Sequence, residues 1–452
     1  MSCAITPRSG CGVIPGWQNG SDARWANCHM TGNNMASAAI NETRQFRVLD
    51  GWRGIAALLV ALFHLNVFSA IYSLDFVRNA FLFVDFFFVL SGFVITHSYA
   101  NRLRTLKDLG AFAVRRFGRL WPLHAVVLLA FVIVESAKAV SAARGASLAN
   151  PPFTGAYSLD TIAMNLAFAQ SFGIERQLTW NSPSWSICAE FWTYLIFAGA
   201  LFIAATWLSR IRFGTLSLIA AMLIGCAAIL ILFAQHGIDA TYDLGLVRCL
   251  YGFLVGHLTY RLWQAASHLK FRGGLLEVGT LIAITVYVSV VGRTGYSFFA
   301  PLVFAVAVFV FAFEAGPISI LMSNRGNAWL GRISYSIYMW QAFIIINFVD
   351  RPFSMFEKIT GRVLTTTEGA SSALGNEAGK LIILGGHFVP ILVTMLYIGL
   401  LIAVASASYY LIEKPGQELF VRLARWRWRR SGSPVQDGVL SRRRAPPAGA
   451  AP

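Results

Sequence analysis

In the stretch Arg53-Gly-Ile-Ala-Ala-Leu-Leu-Val-Ala-Leu-Phe-His64, every residue between the arginine and the histidine is apolar or small. Read as an α-helix, eleven steps advance about 16 Å and complete three turns plus about 20°, so the two ionisable side chains share one face. The apolar character continues to about residue 72, and roughly 20 such residues cross the ~30 Å of bilayer hydrocarbon. The stretch therefore predicts a spanning helix, with Arg53 near one membrane boundary and His64 near the bilayer middle.

The rest of the chain follows the same pattern. Of its 452 residues, 56% are hydrophobic and only 13% charged, against roughly 25% charged in an ordinary soluble domain. Such a chain cannot cover a water-facing surface, and lipid must take its place. The 35 Phe suit a lipid face and the 13 Trp a headgroup boundary. Because backbone groups in lipid must be satisfied within the segment, each long apolar run is read as a helix. Counting one span per run gives about ten spans, at about 52–72, 80–99, 120–138, 183–206, 213–234, 244–263, 274–292, 296–314, 331–349 and 386–411. The fold class expected is all-α, a polytopic transmembrane helical bundle.

An even number of spans puts both termini on one side. The N-terminal tail, the loops near 100–119, 207–212, 264–273 and 315–332, and the C-terminal tail hold most of the 37 Lys and Arg. By the positive-inside rule both termini are expected in the cytoplasm, and the protein in the cell inner (cytoplasmic) membrane. The net charge of +16 is accounted for in this way, and no nucleic-acid partner is expected. Residues 1–45, polar and without an apolar signal-peptide core, are expected to be a disordered cytosolic tail; Met30 and Met35 offer alternative starts. Residues 46–413 form the membrane domain, and 414–452 a basic cytosolic tail in which Trp426 and Trp428 interleave with arginines, suited to lying on anionic lipid.

Ionisable residues inside spans cost at least a few kcal/mol on insertion scales and mark functional candidates. Arg53 and His64 look like a path, a cation to receive an anionic donor and a base further in. Asp85, walled by Phe81, Phe83 and Phe86 to Phe88, needs a cation or hydrogen-bond donor, His64 or an arginine. Arg116 and Arg119 lie one turn apart at the expected cytoplasmic mouth, and two guanidinium forks on one face suit a phosphate-bearing ligand. The fourth run opens Ser182-Pro183-Ser184-Trp185-Ser186, with Ser184 and Trp185 expected at the outer interface and Glu190 about two turns inside. Gly331-Arg332-Ile333-Ser334-Tyr335 leading to Tyr338, and Glu413-Lys414-Pro415, complete the set. No serine-hydrolase elbow, zinc-protease motif or phosphate-binding loop occurs. No two histidines stand four apart, and no metal is expected.

Taken in order, these segments resemble the acyltransferase-3 family of integral membrane acyltransferases, over about residues 46–415. The signatures are Leu49-Asp50-Gly51-Trp52-Arg53-Gly54 leading to His64, Asp85 through Ser91-Gly92-Phe93, Arg116 with Arg119, Ser184-Trp185-Ser186 with Glu190, Gly331 with Ser334, Tyr335 and Tyr338, and Glu413-Lys414-Pro415. The resemblance implies transfer of an acyl group, usually acetyl, from cytoplasmic acyl-CoA (acetyl-CoA) to a hydroxyl of a cell-envelope or exported carbohydrate. It implies His64 as the essential residue and Arg116 and Arg119 on the CoA side; the residues themselves suggest Arg53, Arg116 and Arg119 as a cationic mouth for CoA phosphates and His64 as proton acceptor or transient acyl carrier, oriented by Asp85 or Glu190. Ser184, Trp185, Tyr335 and Tyr338 are the substrate-side candidates. One departure stands out: many relatives carry His where this chain has Gln341, which can be neither acid nor base. The chain ends soon after its last run, so it is expected to complete the transfer itself or to pass the group to a separate extracytoplasmic transferase. The loop at 350–385 is the expected acceptor-side element. A proton- or anion-coupled transporter using the same buried charges is the alternative.

Overall fold

The computed structural model describes residues 44–148, 150–269, 273–366 and 381–429; the N-terminal tail before residue 44 and the end of the C-terminal tail lie outside them. The described membrane domain is a helical bundle. Its main helices are α1 (Arg47–His64), α2 (Phe83–Tyr99), α3 (Leu106–Ala143), α4 (Trp185–Trp207), α5 (Gly214–Phe233), α6 (Gly245–Ala266), α7 (Gly273–Val291), α8 (Ala300–Phe311), α9 (Arg325–Ile344), α10 (Phe388–Ser408) and α11 (Lys414–Arg429). Strand is limited, among the described residues, to the antiparallel pair Thr365–Thr366 and Leu381–Ile382.

Six helices are long and apolar enough to cross a membrane, which makes this a multi-pass membrane protein but falls short of the ten spans expected. The six segments are Ala80–Tyr99, Leu106–Ala143, Ser182–Trp207, Gly214–Phe233, Gly273–Val291 and Phe388–Trp426. The other expected spans also form helices, α1, α6, α8 and α9. Of these α8 is short, with only 12 residues, whereas α1, α6 and α9 carry arginines, tyrosines and other polar groups turned towards protein. Protein-facing polar residues lower the apolar content of just those helices that build the interior.

A second difference concerns α3. The spacing predicts a basic loop to residue 119 followed by a span, but one helix of 38 residues runs through both. The Thr105 hydroxyl accepts from the Asp108 amide, and the Asp108 carboxylate accepts from the Thr105 amide at 2.9 Å, a reciprocal cap that starts the helix well before the apolar run. Arg115, Arg116 and Arg119 therefore project from a rigid helix.

Two close helix crossings set the bundle's interior. A Cβ on Gly331 of α9 would lie 2.1 Å from the Asp50 carbonyl oxygen of α1, and one on Gly256 of α6 would lie 1.9 Å from that of Val89 in α2. Only glycine permits these approaches, and small residues at such crossings are how membrane helices gain packing contact. Beyond α1, the chain after His64 pairs with the expected acceptor-side loop: Ile382 donates to the Asn66 carbonyl and Phe68 to that of Ile382, both at 2.9 Å. That loop also holds the helix Arg351–Thr360; Thr367, Ser371, Ser372 and Asn376 lie outside the described residues.

Candidate active site

A cavity of about 140 Å³ lies between α1, α2, α3, α4 and α9. Arg53, Arg116 and Arg119 line it together, with Glu190 as the only carboxylate among its lining residues. The three arginines were singled out from two separate stretches of sequence, and the fold gathers them into one space. Each rests on replaceable partners. Arg53 donates through Nε to the Ser334 hydroxyl at 3.0 Å and through Nη2 to the Gly331 carbonyl at 2.8 Å. Arg116 donates to the Tyr99 hydroxyl at 3.2 Å and lies over the rings of Tyr99, Phe112 and Tyr194. Arg119 pairs with Glu413 at 3.0 Å. A guanidinium has five N–H donors, so each arginine keeps capacity for an anion.

Glu190 accepts hydrogen bonds from the hydroxyls of Ser91 and Tyr194. Deeper in the cavity, Tyr335 donates to the Leu120 carbonyl at 2.6 Å, and Tyr338 donates to that of Pro183 at 3.0 Å while accepting from Ser186 at 2.8 Å. Both tyrosines line the cavity, whereas Ser184 and Trp185 do not. These two were expected at an outer interface, yet both are buried. The Ser184 hydroxyl accepts from Gln170 at 3.2 Å, and the Trp185 ring lies against the Arg248 guanidinium. That contact is a cation–π interaction, which adds to the ion pair that Arg248 makes with Asp85.

His64 closes α1 and is buried. It stands beyond the cavity, three turns along α1 from Arg53. Its Nδ1 lies 2.8 Å from the Val60 carbonyl oxygen. A carbonyl only accepts, so that nitrogen carries the proton and Nε2 presents its lone pair. The group orienting His64 is thus a backbone carbonyl one turn back, not Asp85 or Glu190 as expected. Asp85 is committed elsewhere: Arg248 Nε and Nη2 donate to its two oxygens at 3.0 and 2.8 Å. Arg248 also reaches Asp239 at 3.4 Å and the Ala240 carbonyl at 3.3 Å. Sequence reasoning passed over Arg248, although an arginine inside the apolar run of α6 was the signal that could have found it.

The α9 face links cavity and histidine. Ser334, Tyr338 and Gln341 follow one another at four and three residues, one stripe along the helix. Ser334 holds Arg53 and Tyr338 borders the cavity, while Gln341 lies beside His64. Both α1 and α9 thus carry a residue of the arginine cavity at one end and reach the imidazole at the other, although His64 itself does not line the cavity.

A buried membrane site with clustered guanidinium groups and an imidazole whose Nε2 carries no proton is the equipment of a membrane acyl-transfer enzyme. The family model described as an acyltransferase domain, that of the acyltransferase-3 family, matches residues 46–410, and the chain belongs to this family. It is similar to the peptidoglycan O-acetyltransferase OatA of Listeria monocytogenes, 26% identical over 66% of this chain and 49% of the relative. YrhL of Bacillus subtilis is 25% identical over 66% and 48% of the two chains. The O-acetyltransferase OatA of Staphylococcus aureus is 24% identical over 66% and 50%. The chain thus spans about half the length of these relatives. No solved structure matches it.

Proposed function

We propose that this protein transfers an acetyl group from cytoplasmic acetyl-CoA to a hydroxyl of a cell-envelope carbohydrate. The observation that carries the reading is the one cavity that gathers Arg53, Arg116 and Arg119, with Arg53 on the same helix as His64. Peptidoglycan as the relatives' acceptor supports a glycan acceptor here. The basic loops support an arginine end that faces the cytoplasm and a place in the inner membrane. CoA phosphates dock on the guanidinium forks, which favour phosphate in bidentate geometry, and the thioester arm lies in the cavity.

His64 Nε2 then takes the proton of the acceptor hydroxyl as its oxygen attacks the acyl carbon. The C–S bond breaks as the C–O bond is completed, and the proton passes from Nε2 to the departing CoA thiolate. The partners are membrane lipid, the carbohydrate acceptor and, where the group is handed on, a separate extracytoplasmic transferase.

The test is His64→Ala in membrane vesicles given radiolabelled acetyl-CoA, with base-labile label on envelope glycan as the readout. Label is expected to fall to background while the variant inserts at normal abundance. Full labelling by His64→Ala would remove the histidine from the mechanism, and solute accumulation without label would replace transfer by transport.

A further inference from the structure

Gln341 is fully buried on α9, and neither its amide nitrogen nor its amide oxygen has a hydrogen-bond partner. This needs a reason, because buried polar groups are nearly always paired and an unpaired one destabilises the fold. An apolar side chain of the same length would fill the position without that cost. The amide also lies beside the His64 ring, on the stripe that leads from Ser334 through Tyr338.

Acyl transfer at His64 creates a need that no neighbouring group meets. As the hydroxyl oxygen attacks, the acyl carbonyl oxygen gains negative charge, and a fixed N–H donor is required there. Arg248 is the nearby buried cation, but its Nε, Nη1 and Nη2 are given to Asp85, Asp239 and Ala240. Tyr338 donates its hydroxyl proton to Pro183. Gln341 combines a buried amide N–H that makes no hydrogen bond with a place at the imidazole.

We propose that Gln341 is a catalytic residue whose side-chain N–H donates to the acyl oxygen in the transition state, while His64 handles the proton. This rests on the acyl-transfer reading above. Being neither acid nor base does not disqualify an amide from this part, since the donor keeps its proton throughout.

The experiment compares the unaltered full-length chain with Gln341→Met, Gln341→Leu and His64→Ala. Vesicles receive radiolabelled acetyl-CoA and base-labile label is followed over a range of donor concentrations; each detergent-purified chain is melted in parallel. Gln341→Met is expected to lower the maximal rate by roughly 100- to 1000-fold, the usual effect of removing one such donor. The half-saturating acetyl-CoA concentration should stay where it was. The melting temperature should hold or rise, because an unpaired amide has been removed. Gln341→Leu, of a different shape, should behave alike, and it carries the test if the Met variant fails to assemble.

A rate within threefold of the unaltered chain overturns the assignment. So does a rate loss matched by a lowered melting temperature, which would make Gln341 a packing residue. Absence of label with the unaltered chain, or full label with His64→Ala, overturns the acyl-transfer reading and this assignment with it.

Discussion

Two of the carboxylates inside the bundle, Asp85 and Glu190, have surroundings that could hardly differ more. Asp85 is wholly enclosed, gripped at both oxygens by Arg248, which is itself shared with Asp239. Nothing of this knot reaches the cavity. Glu190 faces the cavity and is held only by hydroxyls, those of Ser91 and Tyr194. By sequence the two are equals, each an acid in an apolar run where lipid should exclude it. In the fold, one joins α2 to α6 and the other remains within reach of a ligand. A buried charge thus marks a functional residue only when its partners leave it something to do.

The knot offers the sharper way to break this contrast. Arg248→Met strands the Asp85 carboxylate in a dry interior, and losing one partner of such a pair costs about 3–5 kcal/mol. A large fall in melting temperature is expected for the purified chain. Adding Asp85→Leu removes the stranded charge and should restore most of the loss. If Arg248→Met melts like the unaltered protein, the knot is not what joins α2 to α6.

Glu190→Gln probes the other side. An amide oxygen still accepts from Ser91 and Tyr194, so folding should be little affected. Glu190 does not orient His64, so losing its charge beside Arg116 should act on the anionic donor, raising label transfer at limiting acetyl-CoA by up to about tenfold. An unchanged transfer rate would place Glu190 with Asp85 among the structural charges.

How far the sequence foretold this arrangement follows from the same contrast. The helices were legible because membrane burial demands long apolar runs, and the arginines because spacing placed Arg116 and Arg119 on one face. The start of α3 was not, since a polar cap at Thr105 and Asp108 looks like loop. Span counting failed for α1, α6 and α9, where apolar runs carry inward polar groups. Asp85 could be seen to need a cation, but which one depends on how α6 crosses α2 at Gly256, and pairing at that distance leaves no periodicity to read. Gln341 was set aside for lacking a titratable proton; its unpaired amide becomes visible only when every neighbour is in place.

The smallest expected effect concerns Arg119, the cavity arginine with the shortest ion pair. Glu413 holds it at 3.0 Å and is itself fixed by Ser336 at 2.8 Å and Gln417 at 3.1 Å. It emerges from a π-helical turn, Tyr409–Glu413, that links α10 to α11. An incoming CoA phosphate must share Arg119 with this carboxylate or displace it. Glu413→Gln keeps an oxygen for Ser336 and removes the competing charge. The Arg119 side chain is part-exposed although Glu413 is buried, and solvent at the guanidinium holds the competition to about 1 kcal/mol, so the acetyl-CoA concentration for half-maximal transfer should fall by no more than about fivefold, with the maximal rate unchanged. A raised requirement would mean that Glu413 positions Arg119 for the donor instead of competing for it, and the cationic mouth would then be a built ion network like the Asp85 knot.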